Sequence, residues 1–268
     1  MTSDDTILDI ESASISFGGV RALIDIGFSL SPGSITGLIG PNGAGKTTLF
    51  NLITGIFPPD SGQILFMGQP ITGKPVHVLV RMGIARTFQN VELFSSMSVL
   101  ENVQVGMHTR TSCGIFGSVL RTPAIVREEN RSRETAGELL EFVGLTEHAD
   151  RKSADLPFGW QRLLELARAM ASEPSLLLLD EPAAGLNTSE TDMLGELIEN
   201  IRSRGVTVLL VEHDMALTMK LCDRIVVLDR GAVIADGPPR SVQDDEAVMA
   251  AYLGKPRNDD KNKASRPA

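Results

Sequence analysis

Eight consecutive residues, Gly40-Pro41-Asn42-Gly43-Ala44-Gly45-Lys46-Thr47, gather the groups needed to hold an anion, and Thr48 follows them directly. Glycine lets successive backbone N–H groups curl around the anion with no Cβ in the way. A helix beginning here points the positive end of its dipole, about half a charge, at the same spot. Lys46 adds a full charge suited to the β- and γ-phosphates of a nucleotide, and the Thr47 hydroxyl suits Mg²⁺. The pattern G-x-x-x-x-G-K-[ST] carries this chemistry when a strand precedes it and a helix follows. Residues 35–39 are apolar enough for that strand, and 45–54 read as that helix.

A second constellation suits the metal side. Leu176 to Leu179 form an apolar run that stops at Asp180-Glu181-Pro182, so a buried strand ends in two carboxylates and a proline that terminates it. Asp180 can hold Mg²⁺ directly or through water, and Glu181 is then placed to orient or deprotonate an attacking water.

The elements that must position these groups are legible around them. Residues 7–10, 15–17 and 24–30 read as short strands, and the alternation in 24–30 fits a half-exposed antiparallel sheet. Pro32-Gly33 and residues 58–62 mark turns, with another strand at 64–67. From about 98 to 172 the pattern is helical: 125–143 is charged and amphipathic, and Trp160, Leu163, Leu164, Ala167 and Met170 place a helix over 161–172. Apolar strands at 176–179, 206–211 and 225–228 then alternate with helices at 190–202 and 215–221, which predicts an α/β fold with a parallel sheet covered on both faces.

The chain has 268 residues and a formal charge of −9, from 25 Lys and Arg against 34 Asp and Glu, which argues against a chain whose main task is coating nucleic acid. No apolar run approaches the roughly 18–20 residues needed to span a bilayer. Residues 1–5 are polar and acidic, so no signal peptide is expected and a soluble, cytoplasmic chain is. Cys113 and Cys222 belong to no Cys-x-x-Cys pair, which suggests neither a disulfide framework nor a zinc site. Residues 255–268 are polar without periodicity and are expected to be a disordered tail.

With the phosphate loop and Asp180-Glu181 in place, the sequence resembles the nucleotide-binding subunits of ATP-binding cassette (ABC) transporters over about residues 7–254. The resemblance implies a P-loop NTPase core with a mainly parallel sheet, an antiparallel β subdomain and a helical signature subdomain inserted at about 90–172, all within one ATPase domain spanning 1–254. It implies ATP and Mg²⁺ as cofactors. Phe17 resembles the aromatic that stacks on adenine, and Gln89, in Arg86-Thr87-Phe88-Gln89, the glutamine that touches Mg²⁺ and water and senses the permease. Residues 184–187 resemble the D-loop, and His213 the switch histidine that contacts the γ-phosphate.

Residues 156–161 stand where the family signature, Leu-Ser-Gly-Gly-Gln, belongs. Pro157 replaces its serine, and Phe158 and Trp160 replace a glycine and a glutamine, while Gly159, Gln161 and the helix start remain to meet the partner's ATP. Residues 17–20, 86–90, 180–187, 212–215 and 251–254 are similar to the importer ATPases for branched-chain amino acids, with relatives serving other amino acids, amides or urea as the alternative cargoes. The resemblance implies integral membrane permease subunits, a second ABC ATPase closing head to tail over two ATPs as a heterodimer or a homodimer, and, indirectly, a periplasmic solute-binding protein. It places the chain on the inner face of the cell membrane, and no separate regulatory domain is expected after residue 254.

Three rivals lack their marks. A P-loop GTPase needs Asn-Lys-x-Asp, and the only Asn-Lys, Asn262-Lys263, continues Ala-Ser. A soluble ABC protein of DNA repair or chromosome maintenance carries a long heptad repeat between the two constellations, and a translation-type ABC factor carries two phosphate loops; here there is no such repeat and one loop. Residues 113–120 are apolar, glycine-broken and set in the helical subdomain, which in the family faces the permease. Phe116→Asp should therefore weaken permease association without changing ATP binding; unchanged co-purification and transport would dismiss that role.

Overall fold

The computed structural model describes residues 6–108 and 123–253; the segment 113–120 and the tail 255–268 lie outside them. Strands β1 (Leu8–Phe17) and β2 (Val20–Leu30) form a hairpin whose turn, Gly18-Gly19, takes positive φ at both residues, as a two-residue hairpin loop demands. The two runs expected at 7–10 and 15–17 are one strand. A bulge at Ser12, with φ +50°, separates buried Ile10 from buried Ala13 by three residues and so breaks the alternation. The third strand of this sheet, β4 (Ser61–Phe66), runs antiparallel to β1 and carries the two-residue strand β5 (Gln69–Pro70), giving the order β2-β1-β4-β5.

The second sheet has the order β10-β9-β3-β8-β7-β6, from β3 (Ile35–Ile39), β6 (Ile84–Arg86), β7 (Leu176–Asp180), β8 (Thr207–Val211), β9 (Arg224–Asp229) and β10 (Ala232–Gly237). All neighbours are parallel except β10, which turns back on β9. Strands β3, β7 and β8 are buried along their whole length, as a sheet covered on both faces requires. Side-chain parity sorts them between two cores. Leu38, Leu176, Leu178, Leu209 and Val211 pack toward the antiparallel sheet with Leu49, Phe50 and Ile53 of α1 (Lys46–Ile53). Ile35, Ile39, Leu177, Leu179, Val208 and Leu210 pack toward Leu194, Ile198 and Ile201 of α6 (Thr188–Ser203) and Leu217 and Leu221 of α7 (Met215–Leu221).

Between β6 and β7 lie α3 (Val99–Gly106), α4 (Pro123–Phe142) and α5 (Phe158–Met170), the helices expected in this region. Ser98 and Glu101 form a capping box that starts α3, and Asn187 and Glu190 do the same for α6. The backbones of α3 and α5 touch at Gly106, where a Cβ would stand 2.2 Å from the Arg168 carbonyl oxygen. Three further α-helices, α2 (Val76–Met82), α8 (Pro239–Gln243) and α9 (Glu246–Leu253), and two 3₁₀ turns at Thr146–His148 and Ser153–Asp155 complete the described elements. Among the described residues no helix is long and apolar enough to cross a membrane.

Candidate nucleotide site

Strands β3, β8, β7 and β6 are consecutive neighbours in one parallel arrangement, so their carboxyl ends emerge side by side. Residues 40–47 follow β3, Glu212 and His213 follow β8, Asp180 and Glu181 end β7, and Arg86 to Gln89 end β6. This edge is where open α/β sheets bind ligands.

Each expected feature of the phosphate loop has a local cause. Gly40 adopts φ +151°, and a Cβ there would lie 2.1 Å from the Leu228 carbonyl oxygen, so only glycine fits. Gly45 caps α1 with φ +109°. Asn42, Gly43, Ala44, Gly45, Lys46, Thr47 and Thr48 line a cleft of about 490 Å³ that Glu181 and His213 close from the other side, and Arg21 and Arg230 add positive charge at its rim. Pro41 lies on the loop's other flank, facing α9. Lys46 is buried, and its Nζ donates to the carbonyls of Gly40 (2.6 Å) and Pro41 (3.2 Å). Burial pulls its pKa below the usual lysine value, against the opposing pull of the Glu181 and Asp180 carboxylates. An incoming anion would offset that desolvation with its opposite charge.

Glu181 is the convergence point. Its backbone sits at φ +49°, an uncommon conformation for a residue with a side chain. Gln89 Nε2 donates to Glu181 Oε2 at 2.8 Å, and His213 Nε2 lies 3.0 Å from Oε1. Three residues expected separately at this edge thus meet in one hydrogen-bonded row. Asp180 pairs with Arg86, Nη2 to Oδ2 at 2.8 Å. Phe17 lies exposed beside Phe57, edge to face with ring centroids 5.3 Å apart.

Residues 156–161 correct the expected helix start. With Pro157 as N-cap in extended backbone, α5 begins at Phe158 rather than Gln161, because proline tolerates the position before a helix and its missing N–H is needed by no partner there. Gly159 is therefore inside the first turn, facing the Glu190 carboxylate: a Cβ would stand 2.7 Å from Glu190 Oε1. Gln161 turns its amide back to the Leu156 carbonyl at 2.9 Å. Trp160, 36% exposed, stacks on His148 with centroids 4.4 Å apart, so one indole face is covered rather than solvent-facing.

Four buried charged residues belong to the site that sequence reasoning did not single out. Besides Arg86, Arg162 of α5 donates to the carbonyls of Phe88 (2.9 Å) and Gln89, while Glu165 accepts the Phe88 N–H at 3.1 Å. The backbone ahead of and at Gln89 is thereby tied to the helix that carries Gly159. Glu212 accepts the Ala183 N–H through Oε1 (2.7 Å) and the His213 N–H through Oε2 (3.0 Å), holding the segment after Glu181 against His213. Its only signal in the sequence is an acidic residue directly after the apolar run Val208–Val211.

Fold and site together define a P-loop ATPase cassette. The family profile described as ABC transporter matches residues 23–184, and the chain belongs to that family as an ATP-binding ATPase subunit. A second profile, described as branched-chain amino acid ATP-binding cassette transporter, matches residues 232–257. The chain is 44% identical to the high-affinity branched-chain amino acid transport ATP-binding protein LivG of Escherichia coli K12, over 93% of this chain and 98% of that protein. It is 45% identical, with the same coverage, to BraF of Pseudomonas aeruginosa, which bears the same description. A solved ATP-binding cassette of an ABC transporter in its ADP conformation superposes with a TM-score of 0.81 at 33% identity, covering 93% of this chain and 99% of that one.

Burial pushes the Glu212 carboxyl above the usual glutamate value despite three backbone donors. The folded chain then holds a proton there more tightly than the unfolded chain, so this site's contribution to stability is greatest at low pH and is lost as pH rises through the folded pKa. Glu212→Gln, which offers a single acceptor oxygen, should be destabilised by roughly 1–3 kcal/mol, and its deficit against the wild type should shrink as pH rises across that window. Urea melts at several pH values test this; a deficit that grows with pH would show the carboxylate, not the acid, to be favoured.

Proposed function

We propose that this chain hydrolyses ATP to drive uptake of branched-chain amino acids through separate permease subunits. The observation that carries the hydrolytic part is Glu181, held by Gln89 and His213 across the cleft from Lys46. The cargo reading is supported by the branched-chain profile at 232–257 together with near full-length similarity to LivG and BraF.

In this reading adenine stacks on Phe17, and the phosphates lie against the backbone N–H groups of residues 40–48 with Lys46 turning from its carbonyl partners toward them. Mg²⁺ fits the donors available: the Thr47 hydroxyl, Asp180, and the Gln89 oxygen left over while its Nε2 holds Glu181. Among the described residues no cluster of three His, Cys, Asp or Glu stands ready to hold a metal, so phosphate oxygens and water would complete its ligands. Bound there, the ion would neutralise charge on the β- and γ-phosphates. Glu181 orients or deprotonates the attacking water, and His213 releases Glu181 to reach the γ-phosphate. Gly159, Gln161 and the start of α5 meet the ATP of a second cassette, either a different chain or another copy, so each chain carries half of two composite sites. The reading takes 1–254 as the ATPase domain, with about 90–172 as its helical subdomain. It sets the chain on the inner face of the membrane, supplied indirectly by a periplasmic solute-binding protein.

Glu181→Gln should keep ATP binding and lose hydrolysis by roughly 10²-fold or more, while Lys46→Ala should lose nucleotide affinity itself. Turnover near wild type in Glu181→Gln would remove Glu181 from the mechanism.

Trp160 is the only tryptophan, and its emission reports the first turn of α5. In the Glu181→Gln background, where hydrolysis cannot undo closure, ATP with Mg²⁺ should shift that emission in a manner that depends on protein concentration or on added partner cassette, and ADP should not. An ATP response independent of both would mean that Trp160 senses only its own subunit, and would sink the composite-site role of residues 156–161.

A further inference from the structure

One buried cation stands against the metal-side carboxylate and has no part in the hydrolytic row. Arg86 closes β6 with its side chain 7% exposed. Its Nη2 donates to Asp180 Oδ2 at 2.8 Å and its Nη1 to Asn51 Oδ1 of α1 at 2.7 Å. The guanidinium lies between two rings, 5.3 Å from the Phe50 centroid and 5.1 Å from that of Phe88. Its Nε is buried with no hydrogen-bond partner among the described residues.

A guanidinium keeps its charge at every physiological pH. Without it, Asp180 and Glu181 at the same strand end would be opposed only by Lys46, whose Nζ is turned to the Gly40 and Pro41 carbonyls, leaving an all-oxygen pair attractive to a hard divalent ion. Asn51 and the two rings fix the plane of the fork, so the charge cannot swing away from Asp180. Only Oδ2 is engaged; the other carboxylate oxygen is left over.

We propose that Arg86 stands in for the divalent cation while no nucleotide is bound, so that the metal enters only together with phosphate oxygens. A free ion meets a carboxylate already neutralised by a tethered cation, whereas an ion carried by a nucleotide brings its own ligands and needs only the remaining oxygen of Asp180. Arg86 is a positioning residue in this scheme. The inference rests on the reading of Asp180 as the metal-side carboxylate.

Mn²⁺ serves as the probe, because its free-ion electron paramagnetic resonance signal falls on binding and requires no turnover. Without nucleotide, Arg86→Gln should bind one Mn²⁺ per chain at least about tenfold more tightly than the wild type, since an adjacent positive charge has been removed from a low-dielectric site. Adding Asp180→Asn should abolish the gain, and Arg86→Lys should behave as the wild type. Arg86→Gln that is folded by circular dichroism yet binds no better than the wild type would overturn the proposal. Should that variant not fold, Arg86→Met keeps an apolar filler between the two rings and is read the same way. The wild type alone also decides: one tightly bound Mn²⁺ in the nucleotide-free protein, lost in Asp180→Asn, would refute the stand-in role. The underlying reading fails separately if Asp180→Asn leaves Mn²⁺ binding unchanged when a non-hydrolysable ATP analogue is present.

Discussion

The close approach of three backbones behind the phosphate loop is the constraint on which the rest of the structure depends. Gly40 lies against the carbonyl of Leu228 on β9, Gly45 against Leu23 and the Ala22 carbonyl on β2, and Gly231, in the β9–β10 turn, against Ala22 as well. Hydrogen bonds run through the same junction, from Gly231 N to the Ala44 carbonyl and from Ile24 N to the Gly231 carbonyl. The antiparallel sheet and the parallel sheet therefore meet at the loop itself. A side chain at Gly45 or Gly231 would push one sheet off the other, one at Gly40 would drive the loop off β9, and the N–H groups that face an anion would lose their common aim.

Around that junction the site is organised by charges taken out of water. Arg162, Glu165 and Glu212 are buried and each bonds to a loop, Arg162 and Glu165 to the backbone of Phe88 and Gln89 and Glu212 to that of Ala183 and His213, while the buried side chain of Arg86 ties the end of β7 to α1 through Asp180 and Asn51. Loops at a strand edge have few apolar contacts of their own. Buried ion pairs give little net stability but strongly penalise any arrangement that leaves one partner alone. That penalty holds Gln89, Glu181 and His213 in a shared geometry although they come from three separate strand ends.

The parallel core was legible where periodicity was clean. Strand β3 and helix α7 fall on their expected residues, and residues 40–48, Asp180, Glu181, Gln89 and His213 reach the same edge because each follows an apolar strand. What escaped had a physical reason. The bulge at Ser12 divided one strand into two patterns. Strand β10, only partly buried, lacks the continuous apolar run that marks its neighbours. Helix α5 starts three residues before the expected Gln161 because Pro157, tolerated just ahead of a helix, is itself the cap and leaves Phe158 to open the first turn. Arg86 and Arg162 carry no local signature, since their partners at the strand edge lie 94 and 74 residues away, and Glu212 shows only its place after a strand, with Ala183 29 residues away.

The parity that divides β3, β7 and β8 between two cores bears on how this chain can evolve. Every residue of those strands faces one packed interior or the other, so there is no solvent face to absorb a slip. Gaining or losing one residue in β7 would exchange Leu177 and Leu179 for Leu176 and Leu178 between interiors of different shape, and would turn the carboxylate at the strand's end away from Arg86. Changes of length are thus confined to the connections, and a lineage can lengthen its loops freely while its central strands drift only by substitution.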